Sequence, residues 1–66
     1  MKLLLAVDIA DRIIRARENK GAIDLYGEAG DLISRHPEAH VSRDEVVAVL
    51  AEEARNVSIS ARAGAL

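Results

Sequence analysis

Apolar residues recur through the first third of the chain with the spacing of a helix. At about 100° per residue, Leu5, Ala16, Ile9, Ile13, Ala6, Ala10, Leu3, Ile14 and Val7 sweep a continuous arc of roughly 200°. A helix that packs on one neighbour needs only about half of that width. The opposite arc carries Asp8, Asp11, Arg12, Arg15, Glu18 and Asn19, with Leu4 as its one large apolar residue. In the pairs Asp8/Arg12 and Asp11/Arg15 an acid stands four residues before a base, the order that supports a helix. Gly21, following Asn19-Lys20, supplies a left-handed stop. The pattern predicts a helix over 2–19 flanked on two sides, by other helices of the chain or by a second chain.

A second amphipathic stretch covers 22–35. Ala22, Leu25, Ala29, Leu32 and Ile33 share a face, Tyr26 sits at its margin, and Asp24, Glu28, Asp31 and Arg35 lie opposite. Gly27 and Gly30 weaken this helix by up to about 1 kcal/mol each relative to alanine, and their reading is a close approach by another helix. His36-Pro37 ends it, because the residue before a proline is pushed out of the helical region. The third helix, 42–56, opens on a capping box in which Ser42 and Glu45 satisfy each other's amides, with Val41 and Val46 placed as a hydrophobic staple. Val46, Val47, Leu50, Ala54 and Val57 form its stripe, and Asn56 is its expected C-terminal cap. Beyond it, Val57-Ser58-Ile59-Ser60-Ala61 alternates with the period of a strand, which predicts an extended or frayed tail. The expectation is therefore a single all-α domain over 1–66, three helices with the first as the central element.

Composition narrows what such a domain can be. A chain of 66 residues buries only about 60% of its unfolded surface, so its stability is marginal without help, for which the usual sources are disulfides, a metal or an oligomeric interface. It has no cysteine, which removes disulfides and thiolate sites together. Phe and Trp are absent and Tyr26 is the one aromatic, so the core is aliphatic. A net charge of −2 disfavours general affinity for nucleic acid or anionic membrane. The apolar run after Lys2 is stopped by Asp8, too early for a signal sequence, and no stretch is long enough to span a membrane. The expected compartment is the cytoplasm. Seven arginines against two lysines suggest a bacterial origin.

Candidate chemistry is sparse. His36-Pro37-Glu38-Ala39-His40 places two imidazoles four residues apart, but a proline stands where a zinc-binding helix needs its glutamate, so the segment reads as a solvated connection with Pro37 opening one turn. The pairs Asp8/Asp11, Asp24/Glu28 and Glu52/Glu53 fall on solvated arcs, without the dry pocket that acid/base catalysis requires. The reading is of a protein without catalytic activity and without a cofactor. A helix-turn-helix arrangement is the alternative, with Ser42 to Leu50 as the supporting helix and Val57 to Leu66 as the reading helix of a DNA-binding regulator. The favoured function is a small protein–protein interaction module, a homodimeric regulator or accessory subunit. Its interface candidates are Leu3, Leu5, Val7, Ile9, Ile13, Ile14 and Tyr26. If the fold is a closed monomer, Leu25, Leu32, Val46 and Leu50 must cover the first helix, and any part of its arc left exposed marks the interface.

Overall fold

Capping groups set both ends of the second and third helices and the end of the first in the computed structural model, which describes residues 3–19 and 21–62. Helix α1 spans Leu3–Asn19 and stops where Gly21, at φ +68°, turns its amide back onto the Ala16 carbonyl at 2.6 Å. The next element differs from the sequence expectation. Ala22–Asp24 is a short strand, β1, and helix α2 begins only at Leu25 and runs to Arg35. Asp24 accounts for the delay, because its extended backbone (φ −90°, ψ 104°) and its carboxylate, accepting from the Gly27 amide at 3.2 Å, make it the N-cap. Asp24 is thus a cap and not a member of the polar face, and Ala22 lies outside the helix.

A 3-10 turn over Pro37–Ala39 follows, opened by Pro37, and His40 leaves it in the left-handed region at φ 52°. Helix α3, Arg43–Asn56, carries the expected capping box: the Glu45 amide donates to Ser42 Oγ at 3.1 Å and the Ser42 amide to Glu45 Oε1 at 3.4 Å. Its far end differs from expectation. Val57 is the C-cap, and the left-handed position falls on Ser58 (φ 59°), not on Asn56. The chain then straightens into strand β2, Ser60–Arg62. This part of the tail is extended, as its alternation predicts, and it pairs in parallel with β1 in the register Ala22 to Ser60, Ile23 to Ala61 and Asp24 to Arg62. The Ser60 amide donates to the Gly21 carbonyl at 2.9 Å and extends this ladder by one bond. Val57 to Arg62 are therefore turn and strand, so the reading helix of a helix-turn-helix domain is not formed there; 63–66 lie outside the described residues.

The core is aliphatic throughout: Leu5, Ile9 and Ile13 from α1, Ile23 from β1, Leu25, Ala29 and Leu32 from α2, and Val46, Leu50 and Ala54 from α3. Val41, Val47 and Val57 are partly buried against it. The most extensive packing is between α2 and α3, so α1 lies across this pair and is not the central element. Only one stripe of α1 is covered as a result. The three-helix architecture stands as the periodicity implied, with the two-stranded ribbon added beside it.

Candidate functional site

Charged groups on the inner margins of α1 tie it to α2. Arg12 points across the gap and donates through Nη1 to Glu28 Oε1 and through Nη2 to Asp31 Oδ2, each at 2.5 Å. The planar guanidinium suits two carboxylates one helical turn apart. Partial burial opposes the charge of Arg12, but the hydrogen bonds to Glu28 and Asp31 outweigh it and raise its pKa. The Arg12 hydrogen bond in turn holds the Asp31 carboxyl below its ordinary range, aided by Arg35, whose Nε lies 3.1 Å from Asp31 Oδ2. Arg15 and Asp11 form the expected pair within α1 at 2.9 Å. The Asp8/Arg12 pair does not form, because each residue reaches a different partner outside the helix.

Asp8 turns to His36, the residue that caps the C-terminus of α2. The His36 amide donates to the Leu32 and Ile33 carbonyls at 3.0 and 3.2 Å, which fixes the start of the ring's path. Its Nε2 lies 3.0 Å from Asp8 Oδ2 and its Nδ1 lies 3.4 Å from Glu38 Oε2. The hydrogen bond to Asp8 raises the His36 pKa against partial burial, and Glu38 adds to the effect. Both ring nitrogens thus face carboxylates, and His40 is exposed at the end of the turn. Among the described residues no cluster of three or more histidine and carboxylate side chains stands ready to hold a metal. Sequence periodicity did not disclose these two ties; the available signal was that Arg12 borders the apolar arc, where a long side chain can reach over to a neighbouring helix, with Asp8 one turn before it.

An open groove of about 640 Å³ runs between α1 and α2 with β1 along its floor. Its rims carry Arg12, Arg15 and Arg35 with Asp24, Glu28 and Asp31, so positive and negative groups alternate. Those arginines already engage carboxylates, and the arrangement braces two helices; it does not concentrate charge of one sign toward a ligand.

The interface candidates divide between two environments. Leu5, Ile9 and Ile13 are core residues covered by the chain itself. Leu3 is 77% exposed, Val7 58%, Ile14 46% and Tyr26 40%, and Leu4 on the polar side of α1 is 69% exposed. Ala6 and Ala10 are exposed as well, beside a notch of about 180 Å³ bounded by Ala6, Ile9, Ala10, Val49 and Glu53. The outer face of α1 therefore presents contiguous aliphatic surface without cover from the rest of the described chain. No helix among the described residues is long and apolar enough to cross a membrane. Compared with protein-family models, curated proteins and solved structures, the chain matches none.

Proposed function

We propose that this chain is a small helical protein–protein interaction module, a homodimeric regulator or accessory subunit of the bacterial cytoplasm that acts by contact and not by catalysis. The observation that carries the reading is the exposure of Leu3, Val7 and Ile14 on a helix whose Leu5, Ile9 and Ile13 stripe is packed into the core. Apolar groups grouped on a surface mark contact sites, whereas single exposed leucines do not. Tyr26 lies at the exposed margin of α2 and suits an anchoring role, since tyrosine is enriched where binding energy concentrates. The charged groups support the same reading from the other direction, because Arg12, Glu28, Asp31, Asp8 and His36 are occupied in holding α1 in place.

The test is a photo-crosslinking residue introduced at Val7 in the native cell, with the exposed Asp44 on the first turn of α3 as the control position. Discrete protein adducts from position 7 and none of the same mass from position 44 are expected. The same adducts from both positions, or none from either, would overturn the proposal.

A further inference from the structure

We propose that His36 is a proton-operated catch on the connection between α2 and α3: carrying two ring protons it holds both Asp8 and Glu38, and on losing one it keeps Asp8 and releases Glu38. The three groups come from three parts of the fold, Asp8 from α1, His36 from the end of α2 and Glu38 from the 3-10 turn. Asp8 Oδ2 lies 3.0 Å from Nε2, and Glu38 Oε2 lies 3.4 Å from Nδ1. An imidazolium offers one N–H to each carboxylate, whereas the neutral ring has one N–H and one lone pair. Once the ring is neutral, one of the two carboxylates therefore faces a lone pair and is repelled. The residue also caps the C-terminus of α2, where the helix dipole favours the cation.

Exposure and anchoring decide which carboxylate leaves. The Asp8 side chain is 29% exposed, is the nearer of the two, and is carried by a helix that Leu5 and Ile9 anchor in the core. The Glu38 side chain is 54% exposed and stands on a turn of three residues, so it rotates into water and leaves no buried group unsatisfied. The hydrogen bond at Nε2 then selects the tautomer, Nε2–H toward Asp8 with the lone pair on Nδ1. Among the described residues, Asp8 and Glu38 are the charged groups that act on the ring. Arg35, directly before it, is turned to Asp31; at the start of α3, Arg43 lies over Gly30 and Glu45 is held by Ser42. Because these contacts raise the His36 pKa, the catch opens as pH rises through a value above the ordinary 6.5. The release is confined to the connection: the turn closed by the Ala39 amide on the His36 carbonyl loses its outer tie, while α1 keeps Asp8 on His36 and Arg12 on Glu28 and Asp31.

An NMR titration and a substitution test the proposal together. Long-range nitrogen–proton correlations of the His36 ring give its midpoint and the tautomer present above it, which is expected to be Nε2–H. Glu38→Gln keeps the size of the side chain and removes its charge on an exposed turn, so the variant folds. Urea unfolding is then measured on both chains at about pH 5.5, where carboxylates are ionised, and at a pH well above the ring's midpoint. The substitution is expected to lower the folding equilibrium constant roughly two- to fivefold at the lower pH, the factor that one partly exposed ion pair is worth. At the higher pH it is expected to have no cost. An Nδ1–H tautomer would make Asp8 the released group and overturn the proposal. A Glu38→Gln cost that is equal on both sides of the midpoint, or absent from both, would overturn it as well.

Discussion

Replacing Gly27 by alanine is expected to leave the protein no more stable, although alanine is by far the better helix former. On propensity alone both Gly27→Ala and Gly30→Ala gain up to about 1 kcal/mol. The surroundings separate them. A Cβ at Gly27 would stand 2.5 Å from Oδ2 and 3.1 Å from Cγ of Asp24, the carboxylate that caps α2. The carboxylate must rotate off the Gly27 amide to make room, and losing an N-cap costs roughly 1 kcal/mol. The two effects cancel to within a few tenths. A Cβ at Gly30 meets only the end of the Arg43 side chain, at 2.9 Å from Nη2, and that group can swing away. Gly30→Ala is therefore expected to raise Tm by roughly 4–8 °C, the shift that about 1 kcal/mol produces in a domain of this size. Asp24→Ala provides the decisive comparison. It costs about 1 kcal/mol by itself, but Gly27→Ala made on that background is expected to recover most of the loss, since no carboxylate remains to obstruct it. Urea unfolding of the four proteins in the cycle, followed by circular dichroism, measures a coupling of about 1 kcal/mol, above the 0.3–0.5 kcal/mol scatter of independent sites. If Gly27→Ala stabilises equally with and without Asp24, the link between cap and glycine is refuted.

Two further outcomes follow from the core and from the histidine clasp. Leu32 is fully buried, and Leu32→Ala is expected to cost about 2–5 kcal/mol, comparable to the whole stability of a small single-core domain, so the variant loses most of its helical signal at 25 °C while Val7→Ala retains it. Because the folded chain raises the His36 pKa, it holds that proton more tightly than the unfolded chain. The resulting stabilisation is complete below the unfolded value of about 6.5 and is lost as pH rises through the higher folded value. Urea midpoints measured from about pH 5.5 to about 8.5 are expected to fall across that window, and both His36→Gln and Asp8→Asn flatten the decline; an unchanged slope in His36→Gln would show that the clasp does not contribute.

What was legible in the chain was what neighbouring residues determine. The Ser42 and Glu45 pair carries its own geometry, and the structure forms it as written. The same holds for Gly21 and for Pro37, whose backbone preferences act over one or two residues. Leu5, Ile9 and Ile13 declared themselves by period, but the same period also includes Leu3, Val7 and Ile14, and nothing local distinguishes the covered stripe from the open one. That division depends on where α2 and α3 lie. The strand at Ala22–Asp24 was hidden for a related reason: its letters continue the helical pattern of α2, and its partner Ser60–Arg62 is far along the chain. Asp24 was the clue, since an aspartate before a run with Glu28 in its first turn is a starting signal as much as a polar face. The bridges from Arg12 to α2 and from Asp8 to His36 are tertiary, and a helix wheel shows only that Arg12 stands at an edge and Asp8 on the polar arc beside it.

The parallel ribbon also has a consequence for the order in which the molecule can be completed. Helices α2 and α3 pack through contacts close in sequence and can form as soon as both have been synthesised. β1 is different, because its hydrogen-bonded partner is at the far side of that helical pair. Ala22–Asp24 stays unpaired until Ser60–Arg62 is brought alongside it, and the seat of Ile23 in the core waits with it. β2 therefore acts as a latch on β1, and closing a loop of this length slows folding relative to a helix bundle with local contacts alone. Without Ser60–Arg62 alongside it, β1 has no strand to pair with and the junction between α1 and α2 is left unfastened.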